Sequence, residues 1–284
     1  MEDSKGTAVM SQQLSDPFLT EYSSENAVRR YAKKTAGYGI NYLLEHEYGE
    51  IYRTALRKYL SAPVGKGLKF LEFGCGAGMN LIHCLSIFQQ EGIPLEVAYG
   101  TDFSERLIEA ARNEMSNHRI PEQAHKVQFL VARNERLMCD MTSAYGISRP
   151  ALFGSLHLIM GVNTFRYCYR MNGEDQCAED IYDLLMPGGI CIMIDMNRKF
   201  PAFRSRVRDW FTKPESERYL PSLDEYASSF RSKGFEILEC RNTCWIPHSA
   251  GPTLVSICRT LTPMLNWLLP NFAMRSLVIS RKPS

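Results

Sequence analysis

The sequence contains no CxxC pair. Its nine cysteines, at positions 75, 84, 139, 168, 177, 191, 240, 244 and 258, are odd in number and scattered. This excludes a zinc ribbon and a thioredoxin-like redox motif. Several fall in apolar runs, where a reduced thiol behaves as a small hydrophobe. With no disulfide framework, a reducing, cytoplasmic compartment is expected. A surplus of one charge is also missing: 33 basic residues stand against 31 acidic ones, a formal net of +2. That argues against nucleic acid as a partner, since such a domain is ordinarily clearly basic. No apolar run approaches the roughly 20 residues that cross a bilayer, so no membrane span is expected. The opening stretch "MEDSKGTAVMSQQLSDPF" lacks a signal-like apolar segment. The most apolar late stretch, 261–280, is broken by Pro263, Asn266, Pro270, Asn271 and Arg275. There is no internal repeat, and no His/Cys/Asp/Glu cluster at metal-ligand spacing, so no metal is expected. Nothing in the sequence sets an oligomeric state.

What is present is an ordinary globular composition, 45% hydrophobic and 23% charged, over 284 residues. That length suits one large domain or two small ones with a substantial core. The first fifteen or so residues are polar and read as a disordered tail. Residues 25–60 read as helices rich in tyrosine and charge, broken near "TAGYG" (35–39), and "SAPVGKG" (61–67) reads as a linker. Strand and helix patterns then alternate. Strands are expected at 68–73, 95–102, 126–132, 155–163 and 189–197, with helices between them. Ser104 is placed to cap one of these helices. The stretch 178–189 reads as a helix stopped by Pro187 and two glycines. A helix at 222–234 and strands at 235–240 and 276–282 complete the pattern, with a long excursion at 245–272 before the last strand. Alternation of this kind predicts an α/β fold with a doubly wound, mostly parallel seven-stranded sheet, Rossmann-like. The expected organisation is a tail and N-terminal helical cap over 1–62, then one domain over 63–284 with a late insertion at about 245–272.

"LEFGCGAGMN" (71–80) places Gly74, Gly76 and Gly78 directly after the first strand. Ligands of open parallel sheets bind at such a strand–helix turn, and glycine lets a ligand lie against the backbone. A P-loop is excluded, because the lysine of GxxxxGK[ST] is missing. A dinucleotide fingerprint fits poorly, because Met79 stands where the third glycine of GxGxxG belongs. Glu72, two positions before the first glycine, would repel a pyrophosphate but could accept hydrogen bonds from an ammonium group, directly or through water. The turn reads as shaped for a ligand carrying an amine.

"EFGCGAG" (72–78) resembles the first motif of the class I S-adenosylmethionine-dependent methyltransferases. "YGTDFS" (99–104) is similar to their second motif, and "LLMPGGICIMI" (184–194) to their late helix, Pro-Gly-Gly turn and strand. The resemblance covers roughly 66–200 plus the two terminal strands. It implies S-adenosyl-L-methionine as cofactor, Asp102 on the ribose hydroxyls and Phe103 stacked on the adenine. The implied cofactor-binding set is Glu72, Gly74, Cys75, Gly76, Gly78, Asp102, Phe103, Asn134 and Gly161. One departure concerns the family's aspartate for the adenine amine after the third strand. "VARNERL" (131–137) offers Arg133 or Asn134 there, and only Asn134 has an acceptor oxygen.

The acceptor side leaves alternatives open. In "GVNTFRYCYRMN" (161–172), Asn163, Arg166 and Tyr167 either contact a substrate or anchor a loop. The stretch is not the [DN]PP[YFW] motif of adenine and glutamine amino-methyltransferases. Tyr38 and Tyr42 either close over the site or pack the cap. His248 is the one candidate general base, with a structural role as its alternative. His83 reads as packing or surface. Arg198, Lys199, Arg204, Arg206 and Arg208 form either an anion or RNA surface or a solvated helix face. The expectation is methyl transfer to a small-molecule, partly apolar acceptor, with Trp245, Leu254, Ile257, Leu261, Leu265, Trp267 and Leu268 either lining its pocket or forming a satellite core. The alternatives are an RNA or protein methyltransferase using the 198–208 run, and a non-catalytic cofactor-binding subunit. An NAD-dependent oxidoreductase is the weakest.

Overall fold

In the computed structural model of the chain, the residues described are 22–36, 44–60, 67–117, 121–201, 220–246 and 250–284. The N-terminal tail, Tyr38, Tyr42, Arg204, Arg206, Arg208 and His248 lie outside them.

Seven strands form one sheet in the order β3-β2-β1-β4-β5-β7-β6. They are β1 (Leu68–Phe73), β2 (Leu95–Asp102), β3 (Val127–Val131), β4 (Leu156–Val162), β5 (Leu185–Met196), β6 (Glu236–Thr243) and β7 (Arg275–Arg281). The first five run parallel, and β7 is antiparallel to both β5 and β6. The central strands are mainly apolar because helices cover both faces. On β1, Leu68 and Phe70 join one core cluster, while Leu71 and Phe73 join the other. The strand order reverses between β1 and β4, and a sheet of this kind binds ligands beyond its strand ends at that reversal.

The longer helices among the described residues are α1 (Glu25–Ala36), α2 (Gly49–Tyr59), α3 (Met79–Gln90), α4 (Glu105–Asn117), α5 (Leu137–Tyr145), α6 (Glu174–Leu184), α7 (Leu223–Arg231) and α8 (Pro252–Leu268). In α3, Leu81 to Leu85, Ile87 and Phe88 are all buried, so His83 serves packing. Helix α4 begins after Ser104, whose Oγ accepts from the Leu107 N–H at 3.4 Å. A full capping box between Ser222 and Glu225 starts α7. Tyr48, Tyr52 and Leu56, at and within α2, share the main core with β1 and α3. Helix α1 packs against α4 and α3.

Two expectations need correction. Helix α6 ends at Leu184, three residues before Pro187. The Asp183 and Leu184 carbonyls accept from the Gly154 and Ser155 N–H groups at 2.7 and 3.1 Å, and Leu185 already pairs with Leu156 of β4. The Pro-Gly-Gly is therefore a bulge inside β5, with Gly188 at φ +79°. The second correction concerns the late insertion, which carries the 17-residue helix α8 with Pro263 inside it. Val255 packs into the main core and Leu265 is half-buried, but its other large apolar residues point outward: Leu254 is 44% exposed, Ile257 51%, Leu261 40%, Trp267 79% and Leu268 53%. Trp245 lies along the same helix, donating from Nε1 to Asn266 Oδ1 at 2.7 Å. None of these residues lines the cavity described below. Among the described residues no helix is long and apolar enough to cross a membrane, and no group of His, Cys, Asp and Glu could hold a metal ion.

Candidate active site

A cavity of about 360 Å³ opens beyond the carboxyl ends of β1, β2 and β4. One wall is the turn after β1. Gly74, Gly76 and Gly78 take φ +62°, +55° and +83°, the left-handed region that a side chain disfavours. Each does so for a different reason. A Cβ on Gly74 would lie 1.9 Å from Thr164 Oγ1, so the turn and the loop after β4 touch there. Gly78 caps α3 and meets the Phe129 ring. Gly76 faces open space, with Tyr31 at 4.0 Å the nearest contact. Only at Gly76 does the missing side chain leave room for a ligand.

Asp102, at the end of β2, stands opposite. Its Oδ2 accepts from Gly76 N–H and its Oδ1 from Ser104 N–H, both at 2.9 Å. One carboxylate thus fixes the glycine turn to the start of α4, and each oxygen keeps a lone pair for a ligand hydroxyl. Burial pushes Asp102 up to about 6, against the Ser104, Gly76 and Phe103 N–H groups, which favour the charged form. Between the ordinary value and 6 the folded chain therefore binds a proton that the unfolded chain does not. This group's burial costs stability above pH 6, and the cost is relieved as pH falls through 6. With cofactor hydroxyls on the charged form, as the resemblance implies, S-adenosylhomocysteine affinity is expected to fall about tenfold for each pH unit below 6. Titration calorimetry between pH 5 and 8 checks this.

Phe103 and Cys75 line the same end of the cavity, as does Asn134. The Asn134 Nδ2 donates to Thr164 Oγ1 at 2.8 Å, which leaves its carbonyl oxygen as the acceptor. Arg133 pairs with Glu135 instead. Glu72, Gly78 and Gly161 lie outside the cavity wall. Glu72 is fully buried, and burial raises its carboxyl well above the usual range, with Asn80 and the Leu81 N–H the main opposing influences. Neither carboxylate oxygen closes a hydrogen bond of normal geometry. Gly161 makes room for the Phe73 ring, which a Cβ would meet at 2.2 Å.

The far half of the cavity lies over β4, β5 and β7. Asn163 holds φ +54°, strained for a non-glycine residue, and its buried Oδ1 has no hydrogen-bond partner. The Arg166 backbone N–H donates to Asp195 Oδ2 at 2.9 Å, and its Nε lies 3.9 Å from Oδ1 of the same carboxylate. Its guanidinium also contacts Met196 Sδ and the Tyr167 hydroxyl. Tyr167 pairs with Tyr22 at 2.8 Å. Tyr22, Arg30, Tyr31 and Thr35 bring the N-terminal helical segment to this cavity, and Arg275 enters it from the start of β7.

Of the expected residues, the structure thus brings Gly74, Cys75, Gly76, Asp102, Phe103, Asn134, Asn163, Arg166 and Tyr167 around one space. Tyr22, Tyr31, Thr164 and Arg275 were not foreseen. Thr164 and Arg275 carry no local motif, and only the strand order places the start of β7 beside the end of β5.

Residues 65–234, more than half of the chain, match the family profile described as a methyltransferase domain. No curated protein matches. Among solved structures, similar chains include an S-adenosylmethionine dependent methyltransferase from Mesorhizobium loti, at 17% identity and TM-score 0.52, covering 84% of this chain and 99% of that one. Geranyl diphosphate methyltransferase in complex with GPP and sinefungin is 13% identical, with TM-score 0.51, covering 82% and 77%. The citrinin polyketide synthase CMeT domain is 18% identical, with TM-score 0.52, covering 83% of this chain. The chain spans about half (52%) of that polyketide synthase structure. Identities this low show the fold alone. The family match covers β1 to β5, the glycine turn and the Asp102 contact described above, and by it the chain belongs to the class I S-adenosylmethionine-dependent methyltransferases.

Proposed function

We propose that the chain methylates a small, partly apolar molecule held between the sheet edge and the N-terminal helices. The observation that carries this is the shape of the space. At about 360 Å³ the cavity is near the lower end of ordinary ligand sites, roughly 300–1,000 Å³, and cofactor and acceptor must share it. A space of this size takes a small molecule whole, whereas a nucleic acid or protein could place only a single base or side chain in it. The apolar contribution comes from Tyr22, Tyr31, Val162, Met171 and Met196, in place of the outward-facing insertion. The same fold is used on a small molecule by geranyl diphosphate methyltransferase.

The cofactor supplies a methyl group activated on a sulfonium. The residues fit its parts: Gly76 leaves backbone room, Asp102 offers lone pairs to ribose hydroxyls, Phe103 offers a ring face to adenine, and Asn134 offers a carbonyl to its amine. Glu72 acts one layer back, by setting Asn80, which lines the cavity and accepts from Tyr52 at 3.3 Å. We read residues 1–62 as a cap, of which 22–35 reaches the site, and 63–284 as the methyltransferase domain. No described residue of its late insertion lines the cavity.

The chain's own task is to desolvate and align the acceptor. Asn163 Oδ1 is placed to accept from an N–H or O–H on the reacting group. Asn163→Gly removes that acceptor and also relieves the strained backbone. It should lower kcat by about a hundredfold while S-adenosylhomocysteine affinity holds within about twofold, measured by steady-state kinetics and calorimetry.

The reading is tested by incubating the chain with methyl-labelled cofactor and cell extract divided into small molecules, RNA and protein. Label is expected in the small-molecule fraction. Label in RNA or protein would favour the 198–208 run, of which Arg198 is 3.4 Å from Glu225.

A further inference from the structure

The acceptor half of the cavity holds a positive charge that no acidic group among the described residues matches. Arg275 pairs with Met196 at the end of β5 and with Thr243 at the end of β6. It is 5% exposed and lines the cavity. Its Nε donates to the Tyr48 hydroxyl at 2.9 Å and its Nη1 to the Met274 carbonyl at 3.2 Å, and both partners are neutral. Among the described residues no carboxylate lies within ion-pair distance of it. The other cavity arginines are accounted for: Arg166 has Asp195, Arg133 has Glu135, and Arg30 is solvent-exposed over the Tyr31 ring. Asp195 also feels Arg275, but it is the ion-pair partner of Arg166, and one carboxylate does not balance two guanidiniums.

A guanidinium removed from water without a counter-ion is costly. The cofactor does not supply the balance, because its sulfonium and ammonium outnumber its one carboxylate. Its assigned residues also lie over β1 and β2, whereas β7 is three strands away, roughly 14 Å at ordinary strand spacing. One unmatched cation calls for a monoanion. The planar guanidinium fork matches the two oxygens of a carboxylate, while a phosphate monoester, near −2 in charge, would exceed it.

We infer that the acceptor carries a carboxylate, bound by Arg275 beside Asn163. This rests on the methyl-transfer reading above. It makes Arg275 a substrate-binding residue and the substrate a small organic acid with an N–H, O–H or acidic C–H to methylate.

The test titrates the full chain, loaded with S-adenosylhomocysteine, with benzoate, phenylacetate and hexanoate, each against its own primary amide. At least one acid should bind about tenfold more tightly than its amide. Arg275→Gln should abolish the preference and Arg275→Lys should keep part of it, both with S-adenosylhomocysteine affinity within about twofold of the parent. If no acid outperforms its amide while S-adenosylhomocysteine binds normally, the inference fails and the methyl-transfer reading stands. If a folded Arg275→Gln loses more than about tenfold in S-adenosylhomocysteine affinity, Arg275 serves the cofactor's own carboxylate and the inference is overturned. If the parent chain binds no S-adenosylhomocysteine, both fall. The acid–amide comparison uses the unmodified protein, so it holds even if the variants fold poorly.

Discussion

Asp102→Ala is expected to lower the affinity for S-adenosylhomocysteine by about two orders of magnitude. The estimate counts two hydrogen bonds from ligand hydroxyls to a charged acceptor, each contributing roughly 1.5–3 kcal/mol, less what water restores. The substitution also releases the Gly76 and Ser104 N–H groups that the carboxylate holds at 2.9 Å. The glycine turn and the start of α4 should loosen together. Asp102→Asn separates the two contributions, since the amide keeps one acceptor oxygen and the side-chain volume. Calorimetry with both variants should rank them parent, Asn, Ala. An affinity unchanged in Asp102→Ala would remove Asp102 from the site.

The second large effect distinguishes two glycines of one turn. In Gly74→Ala the new methyl meets Thr164 at 1.9 Å, and Thr164 Oγ1 in turn holds Asn134. The clash and the left-handed φ together should cost on the order of 3 kcal/mol. For a chain of this size that lowers Tm by roughly 6–12 °C. Gly76→Ala has a left-handed φ but no protein neighbour inside 4.0 Å. It should cost only about 1 kcal/mol of stability and yet, by placing a methyl in the cavity, weaken S-adenosylhomocysteine about a hundredfold. Thermal melts and calorimetry on the pair check the split. Equal loss of stability in both would mean that Gly76 is also a packing position.

The fold was largely legible because its strands are buried on both faces. β1 and β2 are short, mainly apolar stretches bounded by glycine, proline or a helix start, so their limits are read from the sequence directly. The end of α6 was not, because a Pro-Gly-Gly looks the same whether it stops a helix or bulges a strand. The pairing of Leu185 with Leu156 is a long-range fact. Helix α8 was missed for a related reason. Pro263 interrupts its apolar pattern, and the outward face of Leu254, Ile257 and Leu261 looks in sequence like a pocket lining. At the site, the cofactor half could be read because strand, turn and helix are contiguous there. Glu72 stands in the motif, but its full burial outside the cavity wall is a fact of the fold that the motif does not carry. The acceptor half draws on α1, the loop after β4 and the start of β7. Arg275 meets Tyr48 across 227 positions, a contact that no local pattern announces.

The central claim is that the turn at Gly74–Gly78 holds a sulfonium cofactor and excludes a dinucleotide. Parallel calorimetric titrations of the full chain with S-adenosylhomocysteine and with NAD test it most directly. One S-adenosylhomocysteine should bind per chain, with no heat from NAD, whereas tight NAD binding without S-adenosylhomocysteine binding would contradict the account.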